Sequence, residues 1–94
     1  MVTYDTSENP PVAPGTPNVE IEKYTLTATL DNLDESIKKV QFQVVKNDTT
    51  VFKTGTATVT TSHASFSCTL DAGAEYKVRC KALNDSGESA WSAY

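Results

Sequence analysis

Few residues in this chain can do chemistry. There is one histidine, His63, two cysteines, Cys68 and Cys80, and an acidic stretch holding Asp31, Asp34 and Glu35. His63 sits in Thr60-Thr61-Ser62-His63. A histidine acting as a base needs a nucleophile on one side and an orienting acid on the other. Serines and threonines are plentiful, but none lies in a nucleophile-elbow sequence. His63 therefore reads as an exposed loop residue. A zinc site of the usual kind takes four Cys or His ligands at close spacing, and three scattered ones do not supply it. A calcium loop needs dense oxygen ligands and a glycine at its sharp turn. Leu33 and Ser36 interrupt the 31–36 stretch, which has no glycine, so it reads as a solvated acidic loop. No catalytic residue, metal ligand or cofactor-binding residue is assigned, and the expectation is a non-enzymatic protein without a cofactor.

The elements that would position these residues follow from composition. The chain has 94 residues, which is one domain, because a second core needs roughly another 100 residues. Charged residues are 21%, against 38% apolar, and the formal charge is −4. That sign opposes nucleic-acid binding. The longest apolar runs are two residues, so no membrane insertion is expected, and no charged-then-apolar leader opens the chain. Fourteen threonines fall mostly between Thr25 and Thr69, and a β-branched side chain suits a half-exposed strand. No stretch sustains the apolar spacing of a helix. Residues 1–15, with Pro10, Pro11 and Pro14, read as a flexible Pro-rich linker, and 16–94 as the folded domain.

Apolar alternation places strands at Asn18–Lys23, Tyr24–Asp31, Ile37–Lys46, Thr50–Lys53, Thr56–Thr60, Ala64–Leu70, Glu75–Leu83 and Glu88–Tyr94, with Gly55 breaking the ladder between the fourth and fifth. Asn47-Asp48-Thr49 reads as a hairpin turn, since Asn and Asp tolerate positive φ. Many short strands with frequent turns imply an all-β sandwich or barrel. Cys68 and Cys80 fall on inward positions. Sheets about 10 Å apart and the stagger of the two residues work against a disulfide, so both read as buried free thiols, with the disulfide as the alternative. Lys38, Lys39 and Lys46 read as solvated strand edges. Asn47-Asp-Thr49 and Asn84-Asp-Ser86 fit both the N-glycosylation pattern and plain turn chemistry.

The last 25 residues are the most specific. They run Leu70, Gly73, Tyr76, Val78, Cys80, Ala82, Asn84, Gly87 and then Ser89-Ala-Trp91-Ser92. This pattern resembles the end of a fibronectin type III domain, and the resemblance covers about Thr16 to Tyr94. It implies a seven-stranded, two-sheet immunoglobulin-like sandwich. Tyr76 would be a tyrosine corner, its ring buried and its hydroxyl bonded to backbone near Leu70. The position of an immunoglobulin cysteine is Val78, so that domain's inter-sheet disulfide is absent. Trp91-Ser92 is half of the doubled Trp-Ser motif of cytokine receptors. No Arg-Gly-Asp exists, since Cys80 follows the only arginine, Arg79. The N-terminal half departs from the family: Leu30 stands where a second-strand Trp is usual, and Phe42 where a third-strand Tyr is common, so the core must centre elsewhere.

Within the family the chain is similar to divergent modules in tail proteins of phages and prophages of Gram-positive bacteria. The Pro-rich lead, the Thr-rich strands, the missing Trp and Val51-Phe-Lys-Thr-Gly55 carry this likeness. It implies a spacer or interaction module of a larger tail structural protein, on a virion or the extracellular bacterial surface. Its partners would be neighbouring domains of the parent chain and, weakly, a host-surface glycan, with the isolated domain a monomer. The alternative is a linker module of a secreted bacterial glycoside hydrolase.

Overall fold

A computed structural model describes Val12–Tyr94. Met1–Pro11, most of the expected linker, lie outside the described residues. The described chain is all-β: β1 (Asn18–Glu22), β2 (Thr25–Leu30), β3 (Lys39–Lys46), β4 (Thr50–Thr58), β5 (Ala64–Thr69), β6 (Tyr76–Asn84) and β7 (Gly87–Glu88). Every pairing is antiparallel. The strands form a three-stranded sheet, β1-β2-β5, and a four-stranded sheet, β4-β3-β6-β7.

Strand alternation fixes which residues face the core. Leu26, Ala28 and Leu30 on β2, Val40, Phe42 and Val44 on β3, and Val78, Cys80 and Ala82 on β6 are buried. The intervening threonines, glutamines and cations point outward. Leu33 and Ile37 close one end of this core from the loop between β2 and β3. On β1 the inward positions Val19 and Ile21 stay 41% and 53% exposed, because an edge strand is covered on one side only.

Two expectations about strands are corrected. Gly55 does not break a ladder. It lies inside one continuous strand, β4, opposite Phe42. Its lack of a side chain serves packing: a Cβ there would lie 2.1 Å from Cε1 of Phe66. The Phe66 ring from β5 passes over Gly55 and stacks on Phe42, with centroids 5.9 Å apart and planes 13° apart. The irregularity in β4 lies elsewhere. The register shifts between Val44 and Val45, leaving Phe52 as the extra residue of a bulge.

The second correction concerns the C-terminus. The final ladder is only Gly87–Glu88, and not Glu88–Tyr94. Beyond it the chain still follows β6, through serines. Ser89 N–H donates to Ala82 O at 2.9 Å, and Ser92 N–H to Cys80 O at 2.7 Å. The return bonds end on hydroxyls: Ala82 N–H donates to Ser89 Oγ at 2.8 Å, and Cys80 N–H to Ser92 Oγ at 3.0 Å. Each hydroxyl then donates to the next residue's carbonyl, Ala90 O and Ala93 O. From Ala82 to Cys80 is two steps on β6 and from Ser89 to Ser92 is three on this strap. The extra residue bulges out, and the side chains stand in for strand carbonyls. The start of the described chain lies on the same segment, with Thr16 Oγ1 donating to Ala93 O at 3.3 Å.

The corner before β6 is as the sequence implies. Tyr76 OH accepts the Asp71 N–H at 2.8 Å and donates to Asp71 O at 3.1 Å. The ring is half-buried, where burial was expected, and meets Phe52 edge-on with centroids 5.3 Å apart. Gly73 takes φ 77° within this corner. The 46–49 hairpin is tied to it. Asn47 and Asp48 have φ of 52° and 68°, Asn47 N–H donates to Glu75 O at 2.8 Å, and Asn47 Oδ1 accepts Glu75 N–H at 3.1 Å.

Two stability measurements check this packing. Tyr76→Phe removes a hydroxyl that satisfies two backbone groups and is expected to cost about 1–3 kcal/mol in denaturant unfolding. An unchanged midpoint would mean the corner carries no stability. Gly55→Ala is expected to cost a similar amount, about 1–3 kcal/mol, by overpacking against Phe66. Combining it with Phe66→Ala should give less than the sum of the two single losses, because the ring that clashes is gone.

Candidate functional site

His63, read from sequence as an exposed loop residue, lies in the turn before β5 and meets Asp31. Its Nδ1 lies 2.5 Å from Asp31 Oδ1, and the histidine is half-buried. The contact joins the loop after β2 to the turn before β5. That turn is tight, with Thr60 and His63 exchanging both backbone bonds at 2.9 and 3.0 Å. Thr61 and Ser62 have φ of 51° and 61°. A β-branched residue at positive φ is strained, and the surroundings over-determine it. Ser62 O accepts the Leu33 N–H at 3.0 Å, which anchors the turn to a core residue. The chain thus supplies the base and its orienting acid. No hydroxyl hydrogen-bonds the remaining imidazole nitrogen among the described residues.

Asp34 makes a local turn instead of a ligand cluster. Its Oδ1 accepts the Ser36 N–H at 2.8 Å, and this bond holds its carboxyl below the usual range. Among the described residues no group of three or more His, Cys, Asp or Glu stands close enough to hold a metal ion. No helix there is long and apolar enough to cross a membrane. Asn84 Oδ1 accepts the Ser86 N–H at 2.8 Å, so both glycosylation-like triplets form turns. Lys46, expected as a solvated edge, bonds Asp71 at 3.0 Å, which raises its pKa.

The cysteines are free, and they differ. Cys80 is fully buried in the core, and burial raises its thiol pKa against a smaller opposing effect from Ser92. Cys68 is only half-buried, which corrects the expectation that both are enclosed. It lines an open groove between the edge strands β4 and β5 with Phe52, Lys53 and Phe66. Burial raises its pKa too, and Lys53 partly offsets this.

The most organised surface is on the outer face of the four-stranded sheet. Lys77, Arg79 and Lys81 alternate along β6 and point away from the core. Trp91 and Tyr94 of the serine strap lie between them. Lys77 Nζ is 4.4 Å from the Tyr94 ring centroid. The Arg79 guanidinium is 5.1 Å from Tyr94 and 4.5 Å from Trp91. Lys81 Nζ is 4.6 Å from Trp91. Lys77 also pairs with Asp48 at 2.8 Å, and Lys81 with Glu88 at 2.7 Å. Each of the cation–π contacts contributes about 0.5–2 kcal/mol. The sequence by itself points to no role for these cations. Their signal was present in the spacing Lys77-x-Arg79-x-Lys81, but the fold was needed to bring Trp91 and Tyr94 back over it.

Comparison of the chain with protein-family models and with curated proteins finds no match.

The burial difference predicts an order of reaction for the thiols. In the native protein Cys68 is expected to alkylate first, more slowly than a free thiol at the same pH, because its raised pKa lowers the thiolate fraction. Cys80 is expected to react only on unfolding. In denaturant without reductant, intact mass should show two additions; zero additions would establish a disulfide.

Proposed function

We propose that this chain is a fibronectin type III module serving as a non-enzymatic spacer or interaction domain. Its parent would be a larger tail structural protein of a phage or prophage, on a virion or at the extracellular bacterial surface. The observation that carries the family reading is the Tyr76 corner, where one hydroxyl closes on both backbone groups of Asp71. The division of strands into β1-β2-β5 and β4-β3-β6-β7 supports it as well. The phage-tail reading rests on the sequence likeness of the Pro-rich lead and Thr-rich strands.

In this role the domain needs no reacting group. Neighbouring domains of the parent chain are its principal partners, and the isolated domain is a monomer. A net charge of −4 keeps it soluble and away from nucleic acid. Contact with a host-surface glycan is weak for one copy and becomes useful through many, as linked weak sites gain from effective concentration.

Antibody raised against the isolated domain is expected to label the tails of intact particles. Labelling confined to secreted hydrolase fractions would overturn this in favour of a linker in a bacterial glycoside hydrolase. Hydrolysis of an ester, peptide or glycoside that is lost in His63→Ala would overturn the non-enzymatic reading.

A further inference from the structure

We propose that Arg79 is the receptor for a single oxyanion, a phosphate or carboxylate, carried by an anionic surface glycan. Three observations converge on it. Arg79 is the one cation of the β6 row with no carboxylate on it among the described residues, whereas Lys77 and Lys81 are paired with Asp48 and Glu88. Its orientation is fixed: Nε donates to Gln43 Oε1 at 2.8 Å, and the guanidinium sits near both Trp91 and Tyr94. No hydrogen bond within the described protein engages its two terminal nitrogens. A guanidinium held this way retains a planar fork that matches two oxygens of a phosphate or carboxylate. Because the side chain is already ordered, an anion would cost it little further rotamer freedom.

The surroundings favour an anion on a sugar over one on an apolar peptide. Register places Thr54, Gln43 and Arg79 in one cross-strand row, and Thr56, Gln41 and Lys81 in the next. Each row thus repeats a hydroxyl, an amide and a cation across the sheet. Neighbouring rows on one face are about 7 Å apart along the strand. Hydroxyls and amides beside a cation are the groups that bond sugar hydroxyls flanking an anionic substituent. Lys39 adds a fourth cation on this face, one row beyond Lys81. Against Asp48 and Glu88 the face keeps an excess of positive charge, on a protein whose formal charge is −4. That local reversal of sign supplies the complementarity.

The inference rests on the host-surface reading only for where the anion comes from. The test therefore begins with small probes. Inorganic phosphate, acetate and neutral N-acetylglucosamine are titrated into the 94-residue chain, with Arg79 Nε–H and Trp91 indole N–H followed by NMR. Phosphate or acetate is expected to give saturable shifts at both, and the neutral sugar none. A stronger response to phosphate points to a polyol-phosphate polymer, and one to acetate points to a uronate polymer. In Arg79→Gln the affinity is expected to fall about tenfold or more, since the charge-assisted bonds are lost. Arg79→Lys keeps the charge but not the fork and should fall between. Lys53→Gln, on β4 opposite Val44 and so on the other face of the sheet from Arg79, should bind as the parent does. Non-saturating shifts, or equal affinity in Arg79→Gln with its fold intact by NMR, would overturn the site. Equal binding to an acidic peptide and to a uronate oligosaccharide would overturn the glycan assignment. Saturable anion binding with no labelling of host cells by multivalent domain would leave the Arg79 site standing and remove the host-surface reading instead.

Discussion

The sandwich depends on one steric allowance. At the edge between β4 and β5 the two sheets meet through the half-buried Phe66 ring, which lies where a side chain on residue 55 would have to be. Only glycine leaves that space, so a ring from the three-stranded sheet reaches through to stack on Phe42 in the four-stranded one. The fully buried centre of the core is Leu26, Val40, Phe42, Val44 and Cys80, and the half-buried Phe66 packs against it from the β4–β5 edge. Leu30, at the end of β2, is a peripheral buried residue. Small residues at Ala28, Ala64, Cys80 and Ala82 complete the arrangement by leaving volume for the rings. Close-packed interiors tolerate such exchanges when total volume is kept.

That dependence explains what could be read from sequence and what could not. Period-2 alternation located the core strands β2, β3, β5 and β6, because one buried face imposes it. Tyr76 and its corner were legible through the resemblance of the Leu70-to-Ser92 pattern to a known family, which implied the hydroxyl-to-backbone bond. Gly55 was misread because a glycine in a strand is compatible with a break and with a close approach, and only the strand opposite distinguishes them. The C-terminal strand is shorter than Glu88–Tyr94 because the Ser89 and Ser92 hydroxyls, and not strand carbonyls, accept the return bonds from β6.

The surface chemistry was less legible still. Asp31 and His63 lie 32 positions apart, and nothing local to either signals the other. Arg79 and Trp91 meet because a bulged strap folds back over β6, a path that depends on hydrogen bonds made by side chains. Long-range pairs between charged or aromatic groups leave no periodic trace, so they appear only once the topology does. Both lie at positions where the chain departs from regular ladder geometry: a turn with Thr61 and Ser62 at positive φ, and a segment with one residue too many.

A strand joined by backbone alone can shift by two residues and recover nearly every bond, because all backbones are alike. The serine strap has no such freedom. Its return bonds arrive at hydroxyls three positions apart, and a shift in either direction brings the side chains of Ala90, Trp91 or Ala93 to places where an acceptor is required. Alignment of the last strand is therefore encoded in residue identity, as in a keyed joint. A terminal segment lacking a hydroxyl at either position could not take its place without leaving the Cys80 or Ala82 N–H short of its acceptor.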